Sequence, residues 1–269
     1  MSELALAGSA FVAVLRRDLH VFLSYRTRFV SQVLTPVFSL VLFYYVSRLV
    51  KFPSFPSPNA YFGFVVVGIA LSSVLYACFS IAEMVRGELV AGTFERMLLS
   101  PFGGVRGVLA MTVFPLAYAF FLAAITLGLG CLVFGLQLHW STVPFSIPAI
   151  VLALTAFLPF GLFFAAMTVA TKQGSVGTSW VIALISLVGG LYFPIGLLPE
   201  WAQLVAKVQP FTPATEMLRY LLVGSPMSTS LAVAIAKVAA FAVVLLPASL
   251  YALYRAIRFG QRRGTIIEY

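Results

Sequence analysis

Charged side chains are scarce in this sequence. Of its 269 residues, 9% are Asp, Glu, Lys or Arg and 61% are hydrophobic, and the mean hydropathy is +1.04. A soluble domain of this length could not cover so much apolar surface with so few polar groups. The composition therefore excludes a soluble globular fold and indicates an all-α integral membrane protein.

Histidine and cysteine are also rare. The chain has His20, His139, Cys78 and Cys131, and their spacing fits neither a metal-ligand set nor a redox motif. We therefore expect no metal site, no cofactor on this chain and two free thiols. A membrane-embedded enzyme would need catalytic pairs within the spans, and a secondary transporter would need intramembrane carboxylates. Both functions remain weaker alternatives.

Two further absences narrow the function. The net charge is +9, but Lys and Arg stand at the ends of apolar runs and form no polar basic patch, so nucleic-acid binding is not expected. The sequence also has no Gly-x-x-x-x-Gly-Lys-Ser/Thr phosphate loop. The chain is therefore not expected to bind ATP or to be an enzyme by itself.

Six apolar segments are long enough to cross a bilayer core, which needs about 20 helical residues. The predicted transmembrane helices are Phe29–Val50, Ala60–Glu83, Gly107–Phe134, Ile147–Thr171, Val176–Phe193 and Leu231–Arg255. Because six is an even number, both termini should lie on one side. Pro115, Pro159 and Pro247 fall within spans and are expected to kink the helices without breaking them.

The basic residues are distributed unequally between the two sides of this topology. The richer side has Arg16, Arg17, Arg26, Arg28, Arg86, Arg96, Arg106, Lys172, Arg255, Arg258, Arg262 and Arg263. The poorer side has Arg48, Lys51, Lys207, Arg219 and Lys237. Because cytoplasmic loops carry the excess of Lys and Arg, we predict that both termini are cytoplasmic.

Residues 1–28 precede the first span and show a helical apolar pattern. The apolar positions recur at steps of three and four residues and are Phe11, Val14, Leu15, Leu19 and Phe22. The polar residues that face elsewhere are Arg16, Arg17, His20 and Ser24. This pattern predicts an N-terminal amphipathic helix that lies in the inner membrane interface.

The longest cytoplasmic connection, residues 84–101, mixes charges of both signs with apolar residues at helical spacing. These apolar residues are Leu89, Val90, Phe94, Met97 and Leu98. The pattern predicts a short helix at headgroup level that offers one face to a partner. A solvated loop with the usual enrichment in charge is the alternative.

On the other side, residues 189–226 are too apolar for a solvated loop and too interrupted to span. Gly189, Gly190 and Pro194 should break the helix after the fifth span. An apolar stripe on a short helix follows, at Trp201, Leu204, Val205 and Val208. Thr212 is the predicted N-cap of a second short helix that ends at Gly224. We expect a re-entrant pair covered by the bundle, with an interfacial loop as the alternative.

Both segments resemble a known family. Arg86-Gly87-Glu88, Gly92-Thr93-x-Glu95 and Ser100-Pro101 resemble the coupling region of type-2 ABC exporter permeases. Phe193-Pro194, Leu198-Pro199-Glu200, Pro210-x-Thr212-Pro213 and Arg219 resemble the outer re-entrant segment of that family. The resemblance covers essentially the whole chain. It is closest to small permeases related to daunorubicin-resistance and nodulation-factor exporters, with polysaccharide and teichoic-acid exporters as neighbours.

The resemblance implies one transmembrane domain, residues 1–269, in a bacterial or archaeal cytoplasmic membrane. It implies export of an amphipathic or lipid-like substrate (a drug, a lipid or a lipid-linked glycan), with a polysaccharide or teichoic acid as the alternative. A second copy of the permease and two copies of a separate ATP-binding subunit, which would hold ATP and Mg²⁺, are the implied partners. The residues expected to couple to that subunit are Arg86, Gly87, Glu88, Gly92, Thr93, Glu95 and Arg96.

Four aromatic residues are candidates for the substrate pathway. Tyr44 and Tyr45 approach the outer end of the first span, and Tyr192 and Phe193 end the fifth. A tyrosine hydroxyl at membrane depth needs a hydrogen-bond partner and is favoured at an interface or in a polar lumen. We therefore predict a shared outer vestibule for the substrate. Ordinary interfacial aromatic residues are the alternative.

Overall fold

The computed structural model describes residues 3–24, 26–49, 55–100, 102–172 and 177–263, and their regular structure is helical throughout. The helices are α1 (Glu3–Ser24), α2 (Arg26–Leu49), α3 (Pro58–Val90), α4 (Thr93–Leu99), α5 (Gly104–Phe134), α6 (Val143–Thr171), α7 (Thr178–Val188), α8 (Glu200–Val208), α9 (Phe211–Val223) and α10 (Leu231–Arg263), with a 3₁₀ turn at Ile195–Leu197. The all-α membrane class predicted from the sequence is confirmed.

Five helices in the described part of the chain are long and apolar enough to cross a membrane. They are Val30–Leu49 within α2, and α3, α5, α6 and α10. The shortest has 20 residues, which extend about 30 Å and match the hydrocarbon core. Pro115, Pro159 and Pro247 lie inside α5, α6 and α10, which continue through them.

The predicted continuous span Val176–Phe193 is wrong. Val176 lies outside the described residues, and α7 has only 11 residues, about 17 Å, which is too short to cross a core of about 30 Å. The helix ends at Val188 with Gly189 as its C-cap, and Gly190 then takes a φ of 70°, in the left-handed region, so that the backbone turns toward the 3₁₀ turn. The fifth passage through the bundle is therefore interrupted.

Helix α3 is the centre of the bundle. It begins at Pro58, where the Ser57 side chain accepts a hydrogen bond from the Ala60 N–H, so the start is capped as expected for a Ser-Pro pair. Helices α5 and α6 pack along it, and α6 packs against α10. The packed face of α6 has small, fully buried side chains such as Ala153 and Ala156, which let neighbouring helices approach closely.

The two ends of the bundle differ in what covers them. At one end, here the α4 end, α4 lies beside the start of α5 and the last turns of α10, and α1 contacts the same region through Phe11, 5.3 Å from Phe102 between ring centroids. The other, the α9 end, is covered by α8 and α9. Helix α1 and the end of α10 therefore lie at the same end.

Helix α1 presents a different face to the bundle from the one its pattern predicted. Phe11, Val14 and Phe22 are partly buried as expected, but Leu15 and Leu19 are exposed. Asp18 takes part in the packed face. The helix turns this face inward because Phe22 packs on rings of α5 while Asp18 pairs with Arg17.

The re-entrant pair is present as α8 and α9, with two differences from the pattern. Helix α9 begins at Phe211 with Pro210 in the N-cap position, so Thr212 is inside the first turn and its prediction as N-cap is wrong. Pro210 already has helical backbone angles, which starts the helix two residues earlier. The apolar stripe of α8 faces outward, Trp201 being 62% exposed, while the small residues Ala202 and Ala206 face inward.

Candidate functional site

The segment predicted to couple to a partner is largely helical. Helix α3 continues to Val90, a turn follows at Ala91 and Gly92, and α4 begins at Thr93. Gly92 has a φ of 68°, in the left-handed region where the absence of a Cβ removes the steric penalty. Pro101, at the end of this segment, lies outside the described residues.

Glu88 joins this turn to the N-terminal helix. Its carboxylate accepts a hydrogen bond from Arg17 Nη1 at 3.1 Å and another from the hydroxyl of Thr93. Arg17 also pairs with Asp18 at 3.0 Å. Glu88 and Thr93, both predicted to contact a partner, are thus engaged within the molecule and hold α1, α3 and α4 together.

Burial changes the proton affinities of this ion-pair group. Burial raises the pKa of the Asp18 carboxyl, and the neighbouring Arg17 offsets part of that rise. Burial lowers the pKa of Arg17, but the carboxylates of Asp18 and Glu88 outweigh this effect and raise it above its usual value. The guanidinium therefore stays charged, while Asp18 is easier to protonate than a solvated aspartate.

Phe94 anchors α4 in the bundle. Its side chain is 1% exposed and packs in an apolar cluster with residues of α3, α5, α6 and α10. Met97 and Leu98 pack beside it, against the start of α5. A force applied to α4 would therefore reach α3 and α5, which α4 contacts, and through this cluster the other long helices.

The remaining coupling candidates face outward at the α4 end. Arg86, Gly87 and Arg96 are exposed, and Glu95 is half-buried. Val90 and Leu99, two apolar residues on the same segment, are 59% and 81% exposed. Exposed arginines beside exposed apolar side chains make a surface suited to contact with another protein.

A cavity of about 850 Å³, here the serine cavity, lies between α1, α2, α3 and α5. Its polar lining side chains are Asp18, Gln32, Thr35, Ser39, Ser72, Ser73, Tyr76, Ser80, Glu83, Tyr118 and Tyr192. Aromatic and apolar groups, including Phe22 and Phe114, complete the wall. On α3, Ser73, Tyr76, Ser80 and Glu83 recur at steps of three and four residues, and this face together with Ser72 supplies half of the lining hydroxyls.

The four aromatic pathway candidates do not all line one cavity, although the Tyr44 and Tyr45 rings are 5.6 Å apart between centroids and Tyr44 and Tyr192 pack against one apolar cluster. Tyr192 lines the serine cavity and stacks on Phe43 with 5.8 Å between ring centroids. Tyr44 instead packs against rings of α3 and α5, and its hydroxyl accepts a hydrogen bond from Arg48. Tyr45 is 61% exposed.

Phe193 follows Tyr192 but is not among the residues that line either cavity, and it is 39% exposed. Of the four candidates, Tyr192 is the one that lines the serine cavity. The role of all four residues in transport stays a prediction.

Arg219 is buried at the α9 end. Its guanidinium donates hydrogen bonds to the carbonyls of Phe64, Gly190 and Leu191 at 3.0, 2.8 and 2.7 Å. It also lies 3.3 Å from the centroid of the Phe64 ring. Carbonyl dipoles and a ring face thus take the place of a carboxylate partner.

A second cavity, here the α9 cavity, has a volume of about 920 Å³ and lies beside Arg219. Gly189, Gly190 and Pro194 form part of its wall, together with residues at the starts of α3 and α9. The loop between α5 and α6 closes one side, where the His139 N–H bonds to the Leu222 carbonyl at 2.9 Å.

The sequence reasoning missed two parts of this site. Asp18 was passed over because one acidic residue on an amphipathic helix looks like a solvated position. The hydroxyl face of α3 was missed because hydropathy is averaged over a whole span, although its spacing of three to four residues could have revealed it. Arg219 was noticed only as a basic residue and a family motif.

Among the described residues, no group of three or more His, Cys, Asp or Glu side chains could hold a metal ion. Cys78 and Cys131 are free thiols. The polar groups of the site are thus hydroxyls, carboxylates and arginines, which can bind and orient a molecule by hydrogen bonds and charge.

Residues 9–223 match the family model of the ABC-2 type transporter. Because the match covers most of the chain, the protein belongs to this family, and it is the membrane permease component of an ABC transporter. Members of the family generally pair with an ATP-binding subunit. The comparison with curated proteins gave no match.

Proposed function

We propose that this permease exports an amphipathic or lipid-like molecule, using ATP that is bound by a separate subunit. The serine cavity carries the proposal. Polar groups at membrane depth are stable only where protein or water covers them, so a face of hydroxyls on a central helix marks a place that accepts polar matter. Apolar and aromatic groups beside those hydroxyls suit a molecule with a polar head and an apolar body.

The size of the cavity agrees with such a substrate. A volume of about 850 Å³ lies within the range of about 300–1,000 Å³ that is usual for small-molecule sites. A polysaccharide or teichoic acid is the second candidate, favoured by Tyr76, Tyr118 and Tyr192, whose rings could stack on sugars. A lipid-linked glycan would use both kinds of surface.

The α4 end is the proposed docking place of the ATP-binding subunit. Arg86, Arg96, Val90 and Leu99 are exposed there, and Phe94 connects α4 to the long helices. In this scheme the α4 end and both termini are cytoplasmic, two copies of the permease pair with two ATP-binding subunits, and ATP and Mg²⁺ bind to those subunits. The permease itself is not an enzyme.

The substrate site can be tested by filling the serine cavity. Ser73→Leu and Ser80→Leu place apolar bulk in the cavity, and we expect about tenfold weaker half-saturation of substrate-stimulated ATP hydrolysis in the purified complex. Ser24→Leu, at an exposed position of α1 outside the cavity, is the control. Unchanged half-saturation for every stimulating drug, lipid and glycan in both cavity variants would remove the serine cavity from the pathway.

The orientation can be tested by thiol labelling in intact cells. In a Cys131→Ser background, a membrane-impermeant maleimide should label His139→Cys but not Glu95→Cys. The two positions lie at opposite ends of the bundle, in the loop before α6 and in α4. Labelling of Glu95→Cys alone would show that the α4 end faces outward, which contradicts the predicted topology and the proposed direction of transport.

The aromatic candidates can be ranked by single substitutions. Tyr192→Ala should lower export about tenfold because it removes a ring from the cavity wall. Tyr44→Ala, Tyr45→Ala and Phe193→Ala test whether the wider vestibule exists, and a change in substrate preference in these variants would support it. Full export by all four variants would show that these residues are ordinary interfacial aromatic residues.

A further inference from the structure

The interrupted segment after α7 is the wall between the two cavities. Tyr192 lines the serine cavity, while Gly189, Gly190 and Pro194 line the α9 cavity. A stretch of six residues, 189–194, therefore has one cavity on each side. We call this stretch the partition. A molecule that passes from one cavity to the other along this route must displace it.

Arg219 holds the partition from α9. Two of its three hydrogen bonds end on the partition itself, at the carbonyls of Gly190 and Leu191, and the third ends on the Phe64 carbonyl of α3. The side chain is 3% exposed. One guanidinium thus ties together α9, α3 and the partition, directly before Tyr192.

Gly68 provides the matching contact on α3. A Cβ at this position would lie 1.9 Å from the Leu191 carbonyl oxygen and 3.1 Å from Arg219 Nη2. Such an approach is possible only without a side chain. Ser72, one turn further along α3, lines the same cavity as Tyr192. The partition is therefore seated on α3 at Gly68, next to the turn that faces the serine cavity.

The charge of Arg219 is not used in an ion pair. Both ion pairs formed by described side chains involve Arg17. Glu216, one turn before Arg219 on α9, accepts hydrogen bonds from the backbone N–H and the hydroxyl of Ser228 at 3.3 and 2.6 Å. The guanidinium is thus committed to main-chain carbonyls, and its fork-like geometry lets it reach all three at once.

We propose that Arg219 is a positioning residue for transport, which holds the partition closed between the serine cavity and the α9 cavity and sets Tyr192 in the substrate wall. The closed partition blocks passage while the three carbonyl bonds are intact. Its displacement opens a route toward the α9 end. The transport role rests on the proposed function, whereas the closure itself does not.

Two substitutions disturb the partition from opposite sides. Arg219→Lys keeps the charge, but a single ammonium centre cannot reproduce the planar fork. Gly68→Ala leaves Arg219 unchanged and pushes the Leu191 carbonyl away from α3. Gly128→Ala is the matched control, because Gly128 is also a helical glycine and a Cβ there would meet nothing within 4 Å. Arg48→Lys is the control for the arginine.

The readout is access to the serine cavity from the α9 end. A Cys131→Ser, Ser73→Cys permease is expressed with its native ATP-binding subunit in cells that are then depleted of ATP. A membrane-impermeant maleimide is applied from the side of the membrane on which His139→Cys is labelled, because His139 marks the α9 end. We expect labelling about tenfold faster with Arg219→Lys or Gly68→Ala than with either control. Elution as a monodisperse complex in size-exclusion chromatography shows that each variant is folded.

Labelling that stays at the control rate in both folded variants would overturn the proposal. If Arg219→Lys fails to fold, Gly68→Ala alone decides, because it changes only the seat of the partition. Export is then measured in the same variants with Ser73 restored. Faster labelling with altered half-saturation for substrate supports the whole scheme. Faster labelling with unaltered export supports the closure but contradicts the transport role and, with it, the pathway through the serine cavity.

Discussion

The two ends of the bundle are each held by an arginine, in opposite ways. Arg17, at the α4 end, has a half-exposed side chain and bonds the carboxylates of Asp18 and Glu88. Arg219, at the α9 end, is buried and bonds only backbone carbonyls. The first contact joins a half-exposed guanidinium to two carboxylates whose side chains are 13% and 19% exposed. The second joins main chain to main chain through one buried side chain.

This difference implies different mechanical roles for the two ends. An exposed ion pair contributes about 0–1 kcal/mol, whereas removing one partner of a buried charge network costs about 3–5 kcal/mol. The charged contacts at the α4 end can therefore break and reform when a partner moves. The contact at the α9 end should change only in a cooperative step. The α4 end can therefore adjust to a moving partner, while the α9 end stays closed until its contacts change together.

If the ion pairs at the α4 end are weak, the buried Phe94 ring must hold α4 in place, and its removal should have the largest effect on stability. Phe94→Ala should lower the free energy of unfolding by about 3–5 kcal/mol, because it removes a fully buried ring that joins α4 to the bundle. Thermal unfolding in detergent, followed by the loss of monodisperse protein, measures the change.

Leu99→Ala is the control for this substitution, since Leu99 lies on the same short helix and is 81% exposed. It should leave the unfolding temperature nearly unchanged. Equal stability of the Phe94 and Leu99 variants would show that charges, and not the buried ring, hold α4 in place. The contrast between the two ends would then disappear.

The helices themselves were largely predictable. Hydropathy located α3, α5, α6 and α10 because each is a long apolar run, and the excess of basic residues indicated which loops share an end. The break after Val188 could be foreseen from Gly189 and Gly190, but not its depth. Arg219 bonds the backbone of this segment, and its partners are carbonyls that no side-chain pattern in the sequence reveals.

The site was less predictable for a related reason. Arg86 and Arg96 proved exposed, but Glu88 and Thr93, from the same motif, are engaged within the molecule. A motif gives the place of a function without distinguishing the residues that contact a partner from those that shape the contact. Only the positions of α1 and α4 in three dimensions separate the two groups.

The second prediction concerns the exposed arginines. Arg86→Glu together with Arg96→Glu should lower coupled export about tenfold, because two cations in the proposed docking surface become anions. The permease should remain inserted and folded, since neither side chain is buried. Transport and ATP hydrolysis are measured in the same vesicles, with Arg16→Glu, an exposed position on α1, as the control.

Charge reversal at Glu95 belongs to the same test. It is half-buried beside the exposed surface, so Glu95→Arg should act in the same direction with a smaller effect. If export survives reversal of Arg86, Arg96 and Glu95, residues 84–101 do not transmit force. The α4 end would then not be the place where the permease responds to an ATP-binding subunit.

The third prediction measures the adjustable contact itself. A double-mutant cycle of Arg17→Ala and Glu88→Ala should give a coupling energy of about 1 kcal/mol or less, since the Arg17 side chain is 49% exposed. Thermal unfolding of the four proteins provides the cycle. A coupling energy of several kcal/mol would make the α4 end as rigid as the α9 end and would contradict the contrast drawn between them.

The last and smallest effect is a pH dependence at Asp18. Burial raises the pKa of this carboxyl in the folded protein above its value in the unfolded chain, although Arg17 offsets part of the rise. Between the two pKa values the folded state binds more protons than the unfolded state, so stability is highest below the unfolded pKa and is lost as pH rises through the folded pKa. One group can change the free energy of unfolding by at most about 1.4 kcal/mol per pH unit.

Unfolding temperatures measured between about pH 4 and pH 8 should therefore fall with rising pH in the parent protein, and Asp18→Asn should remove the part of this slope that is due to Asp18. A slope that persists in Asp18→Asn would assign the titration to another group and leave the ion pairs of Arg17 insensitive to protonation in this range.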